Sequence, residues 1–135
     1  MNLDLKQDQD NFMGLGPRDS ARAYARLVQE FQRREGTPPA QRWQWLMAAH
    51  IVGQTQFGLH LRSHALMLQY AIQIRAWTEA VGQLLRLALV PVGHLVGRLP
   101  IGNSGRATVS AFQPMSVSPD LQRMIRNAVI NTSAA

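Results

Sequence analysis

The chain has 135 residues, of which 46% are apolar, and these values indicate a single globular domain and argue against wholesale disorder. It contains no cysteine, which excludes a disulfide framework, thiol catalysis, thiolate metal sites and covalent c-type haem. The net charge of +6 comes from 14 Lys and Arg against 8 Asp and Glu, and it permits contact with anionic partners.

Residues 1–17 are predicted to be a flexible tail. This stretch is polar and acidic, and it ends in the turn signal Gly14-Leu15-Gly16-Pro17. It lacks the basic start and apolar run of a secretory signal, so we expect a cytoplasmic protein. The single folded domain is then expected over residues 18–130.

Four main helices are predicted in the domain, over about 19–36, 38–52, 56–74 and 77–90. The first is capped by Asp19 or Ser20, and the others begin or end at Pro and Gly signals. Helix pairs of similar length recur, as in tetratricopeptide-type helical hairpins. The sequence therefore predicts an all-α compact array of helical hairpins.

The fourth helix is predicted to end or kink at Pro91. The apolar run that contains it, residues 81–97, is interrupted by Gln83, Arg86 and His94, and it is shorter than the ~20 apolar residues that a membrane span needs. We therefore predict no membrane span.

A loop and a short helix are predicted to close the domain. Residues 101–115 are rich in turn signals and irregular, and Val109, Phe112 and Met115 are expected to pack back onto the helices. The run 118–120, Ser-Pro-Asp, starts a helix by its cap, its proline and its acid.

Three of the four histidines lie on either side of one predicted turn. His60 and His64 share a helical face at i and i+4, and a tight turn over 53–56 would bring His50 back towards them. Such rings either form a metal site with metal–nitrogen bonds of ~2 Å or are core histidines satisfied by hydrogen bonds. The pattern leaves both alternatives open.

Further ligands are available near these histidines. Met67 continues the same face and adds a thioether, which favours copper, or iron as haem. Gln54 is expected to orient one imidazole as an outer partner. The spacing His60-xxx-His64 lacks the glutamate of a zinc protease motif, so protease chemistry is not indicated.

A polar stripe marks the fourth helix. Glu79, Gln83 and Arg86 recur at i, i+4 and i+7 among apolar residues. They form either an ordinary solvated stripe or an inward seam that faces the histidines. In the second case Glu79 would bind an ion or an imidazole, and Arg86 would pair with Glu79 or bind an anion.

Two other features are weaker signals. The turn Gly102-Asn103-Ser104-Gly105 is either a plain turn or an anion site built from backbone N–H groups, with Asn103 at its centre. The arginines are spread along the chain without a recognition helix or an aromatic platform, so nucleic-acid binding is not expected.

Several short motifs resemble a family of small bacterial proteins classed only as a domain of unknown function, whose members are often encoded near metal-resistance genes. The resemblance covers roughly residues 40–122, and it implies a link to metals but no established activity. The motifs are Ala49-His50-Ile51-Val52-Gly53-Gln54, His60-xxx-His64-xx-Met67-Leu68, Glu79-xx-Gly82-Gln83-xx-Arg86, Gly97-Arg98-xx-Pro100-xx-Gly102-Asn103-xx-Gly105 and Val109-Ser110-Ala111-Phe112-x-Pro114-Met115.

The sequence favours a binding protein over an enzyme, because no catalytic motif is recognisable. The first hypothesis is a small cytosolic protein that holds copper, zinc, iron or non-covalent haem through His50, His60 and His64, with Met67 or Glu79 as a fourth ligand. The alternative is a helical-hairpin interaction module with structural histidines and no ligand. Its partner would be another protein, a second copy of the chain included.

Overall fold

The computed structural model describes residues 14–133, which form five helices and, within that range, no strand. This arrangement confirms the all-α prediction of four main helices followed by a C-terminal one. The helices are α1 (Pro17–Arg33), α2 (Pro39–Gly53), α3 (Phe57–Gln73), α4 (Trp77–Val96) and α5 (Pro119–Ser133). Most of the predicted tail, residues 1–13, lies outside the described residues.

The first helix begins earlier than predicted. Pro17 is its first residue, and Gly16 rather than Asp19 or Ser20 precedes it, so the predicted side-chain cap is wrong. A proline suits this position because the first N–H groups of a helix have no intrahelical partner. The carbonyl of Gly16 instead accepts the backbone N–H of Ser20 at 3.0 Å.

One core lies between α1, α2 and α5, which pack against one another. Tyr24 and Leu27 of α1, Ile51 of α2 and Ile125 of α5 are each at most 1% exposed. Burying an aliphatic or aromatic side chain of this size contributes about 1.5–3 kcal/mol. This core anchors the C-terminal helix, which at 15 residues is longer than predicted and extends past residue 130.

A second core joins the end of α1 to α2, α3 and α4. Its centre is the Tyr70 ring, which meets the rings of Phe31 and Trp43 edge-on at centroid distances of 5.2 and 4.9 Å. Such edge-to-face pairs add about 0.5–1.5 kcal/mol beyond area burial. Met67 and Leu46 pack in the same cluster, which fixes α3 against α2 just beyond the histidines.

Helix α4 has its polar side turned inward. Glu79, Gln83 and Arg86 are 6%, 0% and 7% exposed, so the alternative of a solvated stripe is wrong and the inward seam is confirmed. The outward side carries large apolar residues: Trp77, Val81, Leu84, Leu85, Val92, Leu95 and Val96. By length and composition alone α4 is able to cross a membrane, so the absence of a span stays a prediction.

Helix α4 also continues through Pro91 to Val96, so of the two predicted alternatives, an end or a kink at this proline, the end is wrong. The helix stops instead at Gly97, which has the left-handed φ of 68° that favours glycine. The N–H of Arg98 closes the last turn on the carbonyl of Gly93 at 3.0 Å. The additional turn after Pro91 carries His94 to the level of the other histidines.

The segment between α4 and α5 is irregular, as predicted. Met115 donates its N–H to the carbonyl of Ile101 at 3.1 Å, which closes the segment on itself. Phe112 is 75% exposed, so its predicted packing onto the helices is wrong. The segment covers one side of the inward seam of α4.

Candidate metal centre

The predicted tight turn between α2 and α3 is confirmed. The N–H of Gln56 donates to the carbonyl of Gly53 at 3.0 Å. A Cβ at position 53 would lie 2.8 Å from the Cβ of Leu59, so the two helices approach this closely only because the residue is glycine. The turn brings His50 of α2 against His60 and His64 of α3.

The three imidazoles form one buried group. Their ring centroids lie 4.9 Å apart for His50–His60, 4.7 Å for His50–His64 and 5.1 Å for His60–His64. The Nε2 atoms of His50 and His64 are 3.2 Å apart. One nitrogen from each ring lies within 4.8 Å of the others, which is the convergence that a metal site needs.

The orientation of His64 follows from a chain of hydrogen bonds. The Gln83 amide donates from Nε2 to Glu79 Oε1 and to the Gly105 carbonyl, both at 2.9 Å. Its Oε1 must therefore accept, and it lies 2.7 Å from Nδ1 of His64. His64 consequently carries its proton on Nδ1 and presents the Nε2 lone pair to His50.

Burial keeps all three rings uncharged at neutral pH. It lowers the pKa of His60 to about 3 and that of His64 to about 4. The pKa of His50 also falls well below the usual 6.5, through burial and then through the neighbouring histidines. Neutral imidazoles have the free lone pair that metal coordination requires.

Glu79 accepts hydrogen bonds within the inward seam and from the loop beside it. Burial alone would raise the pKa of its carboxyl, but hydrogen bonds from the Ala107 N–H, Gln83 and Arg106 lower it overall, so the group is ionised. Nε of Arg106 is 3.1 Å from Oε1 of Glu79, and its guanidinium lies 3.9 Å from the Trp43 ring centroid. Among the described residues Glu79 is not in the group whose ligand atoms converge.

The structure adds a fourth histidine to the surroundings of the group. Nε2 of His94 lies 3.0 Å from Nδ1 of His60. Our sequence reasoning missed this residue because Pro91 was expected to interrupt the helix. The signal was nonetheless present, since His94 follows Val90 by one helical turn on the side of Gln83 and Arg86.

Two predicted site residues lie elsewhere. Met67 is fully buried in the apolar cluster with Tyr70 and Trp43. The Gln54 amide does not orient an imidazole. It donates to the Pro100 carbonyl at 2.7 Å and accepts the Gly102 N–H at 3.1 Å, which ties the loop to the turn between α2 and α3.

The loop around Asn103 uses its own N–H groups, which argues against the predicted anion site. Gly102 donates to Gln54, the N–H of Asn103 donates to Pro100, and Gly105 donates to Oδ1 of Asn103. The buried Asn103 amide in turn donates to the carbonyls of residues 110 and 113 at 2.7 and 2.8 Å. Asn103 therefore shapes the loop.

Gly105 sets how closely the loop approaches the histidines. Its φ is +82°, and a Cβ at this position would lie 2.8 Å from the ring carbons of His50. Only glycine meets both conditions without strain. The His50 ring is thereby held between the loop and α3, with its Nδ1 buried and a backbone contact to Asn103 that partly offsets the lowering of its pKa.

Arg86 does not form the predicted ion pair with Glu79, whose attraction only partly offsets the effect of burial on the Arg86 pKa, and its predicted anion-binding role stays a prediction. Its Nη1 and Nη2 donate to the carbonyls of Gly82 and Val109 at 3.1 and 2.6 Å, and Nε is buried without a partner. The carboxylate of Glu79 is paired with Arg106 instead. Arg86 is thus a buried cation beside the histidines, and its charge lowers the pKa of His50 and His64 further.

Residues 18–125 match the family described as "Protein of unknown function (DUF3703)". The chain belongs to this DUF3703 family. The match runs from the first turn of α1 into α5 and includes all four histidines together with Gln83 and Arg86. The candidate metal centre therefore lies wholly inside the family domain. No curated protein and no solved structure matches the chain.

Proposed function

We propose that this DUF3703 protein is a small cytosolic binding protein that holds one transition-metal ion on His50, His60 and His64. The observation that carries the proposal is the 3.2 Å separation of the Nε2 atoms of His50 and His64. Two nitrogens of a tetrahedral site with metal–nitrogen bonds of ~2.05 Å lie roughly 3.3 Å apart. His50 and His64 are therefore already at the separation that one shared ion requires, and a nitrogen of His60 lies within 4.8 Å of theirs.

The ligand chemistry favours a first-row divalent ion. Three neutral imidazoles suit zinc, copper, iron or nickel, and without cysteine the site has no thiolate that would select softer ions. The hydrogen bond from His64 to Gln83 supplies the outer partner that metal-binding histidines generally have. Copper is a first candidate because it binds most strongly in this series, and zinc is the other because three histidines and an open fourth position form a known zinc geometry.

Haem fits the arrangement less well. A planar macrocycle needs its own slot beside an axial histidine, whereas these three rings touch one another at centroid distances near 5 Å. The absorption spectrum of the purified protein distinguishes the two cofactors. An intense Soret band would support haem and contradict the single-ion proposal.

Metal titration tests the proposal directly. Metal-stripped wild-type protein should bind one equivalent of Zn²⁺ or Cu²⁺ in competition with a chromophoric chelator. The double variant His60→Gln/His64→Gln should lose this binding, since only one imidazole of the converging group remains. The matched control is His94→Gln, which removes a histidine outside the converging group and should keep one equivalent, within about tenfold in affinity.

Two results would contradict the ligand assignment. One is equal metal retention by the wild type and the double variant after dialysis. The other is loss of the ion in the His94→Gln control while the double variant keeps it. Circular dichroism of each variant establishes that the helices are intact, so a loss of binding is not a loss of fold.

A second candidate function is an interaction module that pairs with another copy of the chain. The outward side of α4 favours it, because Val81 is 67% and Leu95 is 87% exposed on a stripe without charged residues. Light scattering after gel filtration tests this candidate. A dimer that Leu84→Glu/Leu95→Glu converts to a monomer would support it, and a monomeric wild type would exclude it.

A further inference from the structure

A cavity of about 560 Å³ adjoins the three histidines, and all three line it. Its volume lies within the ~300–1,000 Å³ of typical small-molecule pockets. The second half of α4 and the loop after it supply most of the wall, which is largely apolar: Leu89, Val90, Val92, Val96, Leu99 and Phe112. An ion on the three imidazoles would have its fourth coordination position available on this side.

The charged groups around the cavity are unbalanced. Arg86 and Arg98 line it, and within residues 14–133 no Asp or Glu does. Arg86 is 7% exposed and donates only to two neutral carbonyls, with Nε unpartnered. Glu79, the nearest acid of the seam, is already bound by Arg106, Gln83 and the Ala107 N–H.

A bound metal ion would add to the excess of positive charge around the cavity. Neutral imidazoles leave the full +2 charge on a divalent ion, and Arg86 adds a further positive charge beside it. Uncompensated charge in a partly enclosed apolar site is strongly unfavourable. An anion at the fourth coordination position would remove most of that cost, and the part of the chain that the structure describes places no carboxylate in the cavity wall.

We propose that the cavity binds an organic monocarboxylate, with the carboxylate at the open position of the metal beside Arg86 and the apolar body against α4 and the loop. This inference rests on the proposed function and names its ligand class. A phosphate group suits the site less well, because it needs several N–H donors. The N–H groups of Gly102, Asn103 and Gly105 are already engaged within the protein.

Cobalt provides the test, because the visible spectrum of Co²⁺ changes when its coordination changes. Co²⁺-loaded wild-type protein is titrated with benzoate, acetate, benzyl alcohol and inorganic phosphate. We expect benzoate to shift the spectrum with saturation at one equivalent. Acetate should bind at least about tenfold more weakly because it lacks the apolar body. Benzyl alcohol should leave the spectrum unchanged because it lacks the charge.

Two variants examine the two halves of the cavity. Arg86→Met should weaken benzoate at least about tenfold, because buried charge–carboxylate contacts are strong, while cobalt stays bound. Phe112→Ser changes a cavity-wall residue whose side chain is largely exposed, so the variant should fold normally, and it should weaken benzoate more than acetate. Leu95→Asn, on the outer side of α4, is the control and should change neither ligand.

The outcomes separate this inference from the proposed function. Failure of cobalt and zinc to bind would overturn both. Full cobalt occupancy with a spectrum that benzoate does not change would overturn this inference alone, as would tighter binding of phosphate than of benzoate. Equal weakening of benzoate and acetate by Phe112→Ser would contradict the assigned place of the apolar body.

Discussion

Acid should unfold the metal-free protein, because three buried imidazoles must stay neutral in the folded state. In the unfolded chain a histidine titrates near pH 6.5. In the folded protein the pKa of His60 is lowered to about 3, that of His64 to about 4, and that of His50 also lies well below 6.5. Below pH 6.5 the unfolded state therefore binds more protons than the folded state. The free energy of unfolding consequently decreases as the pH is lowered.

The size of the effect follows from the same shifts. Each proton taken up only by the unfolded chain lowers stability by about 1.4 kcal/mol per pH unit. Three rings together give a slope of about 4 kcal/mol per unit between pH 6 and 5, and a loss of about 6 kcal/mol at pH 5. Since a domain of this kind has only about 5–15 kcal/mol in total, the metal-free protein should unfold near pH 5. Stability is fully present above about pH 7, and the loss from His64 ends near pH 4.

Urea unfolding at a series of pH values measures this slope. The protein is kept in a chelator, because a bound metal stabilises the deprotonated rings and would hide the effect. Fluorescence reports unfolding through the buried Trp43. His64→Gln should reduce the slope by about one proton, or 1.4 kcal/mol per pH unit. A wild-type slope of about 1.4 kcal/mol per unit or less between pH 6 and 5 would refute the reasoning.

Three further outcomes are expected from single substitutions. Gly105→Ala should destabilise the protein by about 2–5 kcal/mol in urea unfolding, because of the positive φ at this position and the close contact with an imidazole ring. As a control, Gly58→Ala, which lies in open space within α3, should stabilise the protein by about 0.5–1 kcal/mol. Gln83→Leu should weaken metal binding about 10- to 100-fold in chelator competition, and unchanged affinity would mean that this amide does not orient the ligand. Leu27→Ala should lower the free energy of unfolding by about 2–5 kcal/mol in thermal or urea unfolding, because Leu27 is buried. Leu95→Ala, on the exposed outer side of α4, should lower it by less than about 0.5 kcal/mol.

Residue spacing predicted the features that depend on near neighbours. Helical periodicity and the Gly and Pro signals were sufficient for the helices, since each depends on interactions within a few residues. The same holds for the contacts of His50 with His60 and His64, because a short turn makes two successive helices pack against each other in an antiparallel pair. The convergence of these three rings therefore follows from their spacing around the turn.

Errors arose where a contact between distant segments decided the outcome. Met67 shares a face with His60 but lies about 10 Å further along the axis, at 1.5 Å per residue, and so enters the next core. Gln54 was matched with an imidazole nearby, although its partner is Pro100, 46 positions away. Nothing in local sequence distinguishes these two partners for a carboxamide.

The all-α fold, the hairpin turn and the three imidazoles that this turn brings together could all be read from the amino-acid order, because they follow from backbone preferences and side-chain periodicity over short distances. The burial of the stripe of Glu79, Gln83 and Arg86 became clear only from the packing of the helices, since a polar stripe on an apolar helix is compatible with either side facing the protein. The same packing shows that α4 continues past Pro91 and places His94 beside His60. The physical reason is that burial and partner choice depend on which surfaces meet, and those surfaces come from segments far apart in the chain.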